Sequence, residues 1–194
     1  MGSGITEINK DTFWQLIEET KNQCGQDMDA SISWIKKEQS LQFHAIMHGY
    51  RDLADKYGLW TAAIFIKEYG CSDDGFMDFR AWLIAQGKDI YMAALENPDS
   101  LTRVEQYGDC EFELLNYVGD YAYQELTGRS AYVDCTPEME KRVLEEISGE
   151  IKYHPLIEYP LQPPDVAAVY PEIGDMIMKK YSIRFFSKDS SLWN

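Results

Sequence analysis

Apolar positions recur at three- and four-residue intervals from the start of the chain to about Gly149, the period of helices that bury one face. Asn9 or Asp11 stands where a first helix would be capped. DTFWQLIEETK follows, with Phe13, Trp14 and Ile17 on one side. A loop near Gly25 leads into a long pattern from about Met28 to Lys56. Its apolar contacts are Ile32, Ile35, Leu41, Ala45, Met47 and Leu53, with a break expected near Gln39 and Ser40, and Gly58 punctuates it. LWTAAIFIKEY is apolar nearly all round and predicts a central buried helix, with Gly70 as its left-handed cap.

Ser72 or Asp73 caps the next predicted helix, which turns Phe76, Phe79 and Leu83 inward and stops at Gly87. DIYMAALEN ends before Pro98, because the residue before a proline avoids helical geometry. Asp99 or Ser100 starts a further turn. Glu111 to Leu126 reads as one helix through Phe112, Leu115, Val118, Ala122 and Leu126, closed by Gly128. Thr136 and Pro137 open EMEKRVLEEIS, since proline is tolerated in a first turn.

Beyond Gly149 the pattern changes. Lys152 to Pro171 holds five of the seven prolines together with Tyr153, Tyr159 and Tyr170. This predicts an extended arm on the helical body, a short helix from about Glu172 to Tyr181, and a frayed tail from Ser182. The pairs Tyr159-Pro160 and Tyr170-Pro171 are read as packing the arm down, with a polyproline-type recognition element as the alternative. Strand signal is confined to a few residues near Ile183 to Phe186. The expected fold is all-α, a compact single-domain multi-helix bundle over residues 1–150. The arm, short helix and tail of 151–194 are expected to pack on the same domain.

Composition narrows the function. The 194 residues are 45% apolar and 13% aromatic, enough for a full core. Lys and Arg number 18 against 33 Asp and Glu, a net charge of −15. That excess disfavours nucleic acid, whose phosphates need clustered cations, and it disfavours an anionic membrane surface. It favours a soluble chain kept monomeric by self-repulsion, or one with a basic protein partner; a monomer or small homo-oligomer is expected. No window reaches the roughly 18 apolar residues of a membrane helix, and MGSGITEINK does not read as a secretory leader, so a cytoplasmic location is expected. Cys24, Cys71, Cys110 and Cys135 are widely spaced and read as reduced structural thiols, not a zinc set.

The densest chemistry lies in GCSDDGFMDFRAWLI, Gly70 to Ile84. At about 100° per residue, Arg80 falls within roughly 70° of the face carrying Phe76, Phe79 and Leu83, while Asp78 points nearly opposite. Arg80 should therefore run along the core edge with its guanidinium seeking acceptors. Asp73 and Asp74 suit a helix N-terminus. Two readings stay open. In one, the acids cap and Arg80 pairs with a carboxylate on another helix. In the other, Arg80 binds an anion while the aspartates hold a cation or an amine.

LWTAAIFIKEYGCSDDGFMDFRAWLIAQGKDIYMAALENPDSL resembles the central block of the bacterial domain-of-unknown-function family 4240. The likeness rests on Leu59, Trp60, Gly70 to Asp74, Phe76, Asp78, Phe79, Arg80, Trp82, Leu83, Gly87, Asn97, Pro98, Asp99 and Leu101. The Phe13-Trp14 helix and the segment with Glu113, Tyr117, Val118, Ala122, Tyr123, Thr127 and Gly128 are similar too, so it spans about Ile8 to Gly128. The resemblance implies a small helical bacterial protein, and treats Asp73, Asp74, Asp78, Arg80, Trp82 and Glu113 as one binding unit. It supplies no reaction and no cofactor. Glu113 is the acid expected to meet Arg80, since a carboxylate accepts a two-pronged arginine contact.

His44 and His48 are four apart in HAIMH, a spacing that puts two imidazoles on one helix face. Ala45 stands where a zinc protease needs Glu, and Leu41 and Ala45 stand where a di-iron bundle needs its glutamates, so no metal is expected. Cys71 lies beside acids that raise a thiol pKa. There is no Gly-rich phosphate loop and no nucleophile elbow. The sequence therefore points to a protein-binding or regulatory module without turnover, in its most specific form an inhibitor or immunity-type protein. The alternative is a small-molecule-binding domain or enzyme with an anion-binding pocket around Arg80 and Asp73/Asp74.

Overall fold

Asn9 starts the first helix: its Oδ1 accepts from the backbone N–H of Asp11 and of Thr12, both at 3.0 Å, meeting two donors that the first turn cannot satisfy internally. In this computed structural model, residues 8–24, 39–67, 70–105, 109–160 and 163–186 are described. Helix α1 is Lys10–Cys24, α2 Ser40–Leu53, α3 Tyr57–Ile66, α4 Asp73–Ala85 and α5 Lys88–Glu96. A 3-10 turn follows over Pro98–Arg103, and another over Glu113–Asn116. Then come α6 Val118–Thr127, α7 Ala131–Asp134, α8 Pro137–Ser148, α9 Pro163–Val169 and α10 Pro171–Phe186. No strand occurs among the described residues, and the class is all-α.

Helix α2 is the centre. On one side its Gly49 faces Val143 and Ile147 of α8. On the other, Gly119 of α6 lies against its backbone: a Cβ at 119 would stand 2.8 Å from His44 Cβ and 2.9 Å from His44 Cα. Only glycine allows that approach. Phe13 and Trp14 of α1, Tyr50 of α2 and Tyr91 of α5 pack as one aromatic group, with centroids 4.7–5.6 Å apart for the Trp14–Tyr50, Phe13–Tyr50, Trp14–Tyr91 and Tyr50–Tyr91 pairs. A second row of rings, Trp60, Phe76, Phe79 and Trp82, joins α3 to α4.

The caps agree with the sequence at several ends. Ser72 Oγ accepts from Gly75 N at 3.1 Å, and Thr136 does the same for Met139 N at 3.3 Å. Gly87 and Gly128 close α4 and α6 with positive φ, and α2 begins beside Gln39, at the expected break. Gly70 also has positive φ but does not cap α3, which ends at Ile66 with Lys67 extended as its cap.

Elsewhere the structure differs. Gly58 sits inside the first turn of α3, where its N–H donates to the carbonyl of Ile157 at 2.7 Å; absence of a side chain, not a chain break, is what the position uses. Helix α3 is not buried all round, since Ile64 is exposed. The expected Glu111–Leu126 helix divides at Tyr117 into the 3-10 turn and α6, and Leu126 faces solvent. The arm contains α9, and α10 runs on through the residues 183–186 that carried a strand signal. A helix already nucleated propagates at low cost, which overrides weak local strand preference. The Gly25 loop, Ile32, Ile35 and the tail past Phe186 lie outside the described residues.

The arm is bonded to the body. His154 N donates to Leu95 O at 2.9 Å, and Tyr153 Oη to Leu53 O at 3.0 Å. Ile157, Tyr170 and Ile173 are fully buried. Asp99 accepts from Glu172 N and Ile173 N, both at 2.9 Å. It is therefore the N-terminal cap of α10, supplied from a distant turn.

Candidate functional site

Ser72 sets the register of α4, and that register sends its polar residues two ways. Arg80 faces inward and is only 9% exposed. Its guanidinium carbon lies 4.8 Å from the centre of the Phe76 ring, a cation–π geometry. Nε donates to Phe76 O at 3.4 Å, and Nη1 donates to Arg51 O at 3.2 Å and stands 3.4 Å from Asp55 Oδ2. The last four carbonyls of α2 all find donors outside the helix ladder or in its closing turn. Tyr91 Oη donates to Tyr50 O at 2.6 Å, Arg80 to Arg51 O, Asp55 N to Asp52 O, and Tyr153 Oη to Leu53 O. A helix end with these partners loses nothing to burial. The arginine thus closes the negative end of α2. Burial pushes its pKa down, and Asp55 pulls it back.

Of the acids of α4, Asp78 faces the other way. Asp73 and Asp74 are exposed at the helix start, about 10 Å along the axis from Arg80 at helical rise. Asp78 Oδ1 accepts from Asn116 Nδ2 at 3.1 Å, and Asp78 O accepts from Phe112 N at 3.1 Å. Burial first, then the charges of Glu113, Glu111 and Asp74, hold Asp78 above the usual carboxylate range, against the pull of Lys67. Lys67 is buried, ion-paired to Glu111, and 3.5 Å from the carbonyl of Gly75. Glu113 is exposed and belongs with these acids. The acid that meets Arg80 is Asp55, not Glu113, because Arg80 and Glu113 sit on opposite sides of α4.

Asn116 carries the acid group on to the two histidines of α2. Its carbonyl accepts from His48 Nε2 at 3.3 Å and lies 3.5 Å from Tyr132 Oη. The His44 and His48 rings are 4.1 Å apart, and Tyr132 of α7 meets both edge-to-face, at 4.5 and 5.2 Å. Asp120 is buried nearby, with its oxygens taken by Ser130 Oγ, Ala131 N and Gln124 Nε2 at 2.6–2.8 Å. Among the described residues no group of three His, Cys, Asp or Glu side chains is placed to hold a metal ion.

Against known proteins, the family model described as "Protein of unknown function (DUF4240)" matches residues 8–125. The chain belongs to the DUF4240 family. No curated protein and no solved structure matches it. The DUF4240 block now has a physical reading. Its Ser72 caps α4, its Arg80 closes α2, and its Trp82 is core, 2% exposed and 5.4 Å from Phe79. Asn97 Oδ1 accepts from Asp99 N at 3.1 Å, which sets the turn from which Asp99 caps α10. Asp73, Asp74, Asp78, Arg80, Trp82 and Glu113 are therefore three sets: a surface acid group, a helix-end cation and a core ring.

Sequence reasoning missed Lys67, Glu111, Asp55 and Asn116. Lys67 had a signal: a single cation directly after the apolar run of α3 is placed to be buried and paired. Asp55 and Asn116 had none, since each acts through a tertiary neighbour. The free thiols Cys71, Cys110 and Cys135 are inert by environment, with burial raising all three and taking Cys110 to about 11. No helix among the described residues is long and apolar enough to cross a membrane.

Proposed function

We propose that this DUF4240 protein is a binding module that docks a basic protein on the acid group at the start of α4, without turnover. The observation that carries this reading is the crowding of carboxylates at one place. Burial first, and then the charges of Glu113, Glu111 and Asp74, raise Asp78, and the buried cation beside them, Lys67, is committed to Glu111. Asp73, Asp74 and Glu113 meet solvent, so a cationic side chain of a partner would relieve their repulsion on arrival. The net charge of −15 adds long-range attraction for the same class of partner. An inhibitor or immunity-type protein that covers a basic enzyme is the specific form of this reading. An anion pocket around Arg80 gains no support, because the guanidinium already serves Arg51 O, Phe76 O and Asp55.

Capture from native-host lysate tests it. The parent should retain one basic protein at low salt and release it at high salt, and a folded Asp74→Asn/Glu113→Gln variant should retain much less. Equal retention by parent and variant, or retention insensitive to salt, would overturn the assignment of this face.

A further inference from the structure

Helices α6 and α7 form a unit that is bonded within itself. Asp120 of α6 accepts from Ser130 Oγ at 2.8 Å and from Ala131 N at 2.6 Å, which caps α7, and Tyr123 Oη donates to Asp134 Oδ2 at 2.9 Å. The histidine pair is a polar part of its contact with α2. Three parts of the unit and its entry converge there: Gly119, whose backbone presses on His44; the Asn116 carbonyl, which takes the His48 Nε2 proton; and the Tyr132 ring, which lies edge-to-face with both imidazoles.

We propose that this pair is an acid-operated latch: protonation of His44 or His48 as pH falls through the ordinary histidine range unseats the α6–α7 unit from α2.

The reason is burial and charge. His44 is 3% exposed, and its Nδ1 has no hydrogen-bond partner among the described residues. An imidazolium there would carry a proton on a buried Nδ1 that has no acceptor among the described residues. With ring centres 4.1 Å apart, two imidazolium ions would repel each other. The groups that act on the pair come from each neighbouring element. Arg51 of α2 opposes protonation, Asp120 of α6 favours it, the Asn116 carbonyl favours it at His48, and Tyr132 of α7 covers both rings. Asp120 already has three donors on its carboxylate, so it has little left to offer. Burial dominates and holds His44 at about 4 and His48 at about 3. The folded-state values lie below the unfolded one. The stability contributed is therefore fully present above the ordinary histidine value and is lost as pH falls beneath it. When α6–α7 lifts, the rings hydrate and regain ordinary basicity, so acid favours the lifted state by about tenfold per pH unit per histidine.

Hydrogen exchange on the intact chain reads this, at about pH 7.5 and about pH 5, corrected for intrinsic rates and referenced to α4–α5. In the parent, protection of α6–α7 should fall roughly thirty-fold or more relative to α4–α5. In the His44→Phe/His48→Gln variant the fall should vanish: phenylalanine keeps a ring, and glutamine keeps a donor for the Asn116 carbonyl. The third histidine, His154, packs on Tyr170 in the arm, so a loss confined to α9–α10 would overturn the latch. So would a flat parent profile, or an equal fall in the variant. If the double variant does not fold, imidazole NMR titration of the parent decides. His44 and His48 should stay neutral until the α6–α7 resonances shift; ordinary titration with α6–α7 undisturbed overturns the proposal.

Discussion

Arg80 Nη1 donates to the carbonyl of Arg51 across 3.2 Å, so a cation rooted in α4 closes the C-terminal end of α2. The bond joins two central helices and meets a carbonyl that the ladder of α2 leaves open. It also explains why an arginine lies along a core edge. The ring of Phe76 supports it from below, and only its tip reaches Asp55.

Arg80→Ala should therefore cost about 2–4 kcal/mol, through a buried carbonyl left without its donor and a stem-sized void. Asp55 is 61% exposed at its side chain, and Asp55→Asn should cost below about 1 kcal/mol, as exposed ion pairs do. Urea unfolding of the two variants checks this. Equal losses would mean that the ion pair, not the helix end, holds Arg80.

Asp78 gives a prediction of opposite sign. Its carboxyl is raised in the folded chain, by burial first and neighbouring acids second, so its charge opposes folding. Below its unfolded value the group is neutral in both states and costs nothing. As pH rises through that value and past the folded one, stability is lost. Asp78→Asn removes the charge and keeps an oxygen for Asn116 Nδ2. Neutral-pH stability should rise, by up to about 1 kcal/mol after solvent screening, and the gain should shrink toward about pH 4. If this face binds a basic partner, the same variant should capture it less well. A variant less stable than the parent at neutral pH would show that the Asn116 bond outweighs the repulsion.

Much of the fold was legible because its signals are local. Asn9, Ser72, Thr136, Gly87 and Gly128 each act within a few residues of where they stand, and Phe76, Phe79 and Leu83 share one face by period alone. The edge position of Arg80 came from the same projection. Its partner did not, because Asp55 and the Arg51 carbonyl are placed by how α2 crosses α4. The break at Tyr117 was hidden for a similar reason: the 3-10 turn is held by Asp78 and by Asn116, which reads as an ordinary polar residue. Gly58 looked like punctuation, but its role depends on an arm about a hundred residues on, and nothing near it in sequence signals that.

The arm's attachment hangs on Asp99. Its two oxygens take Glu172 N and Ile173 N, and Thr102 and Arg103 from the same turn hold the Glu172 carboxylate. Asp99→Ala should cost about 2 kcal/mol, the upper range for a lost cap. The loss should be local: limited proteolysis should cut within α9–α10 sooner than in the parent, while α4 and α5 stay protected. Arg103→Ala removes only an exposed pair and should change cleavage little. Uniform loosening of the whole chain in Asp99→Ala would place Asp99 in the main cooperative unit instead.

Gly58 of α3 lies against Tyr170 and Ile157 of the arm. A Cβ on residue 58 would collide with the Tyr170 hydroxyl and would stand 3.1 Å from Ile157 Cα. The hydroxyl is buried, burial raises its pKa to about 12, and no described group hydrogen-bonds it. Tyr170→Phe should therefore be neutral or stabilising by up to about 1 kcal/mol, since it removes a polar atom that gains nothing inside. Gly58→Ala should cost about 2–3 kcal/mol by overpacking. In the Tyr170→Phe background that cost should fall by about 1 kcal/mol without vanishing, because the Ile157 backbone cannot swing aside as a hydroxyl can. A double-mutant cycle measured by thermal unfolding isolates the coupling. Zero coupling would mean that Ile157 alone enforces the glycine, and a destabilised Tyr170→Phe would mean that the hydroxyl has a bonding role in the folded chain.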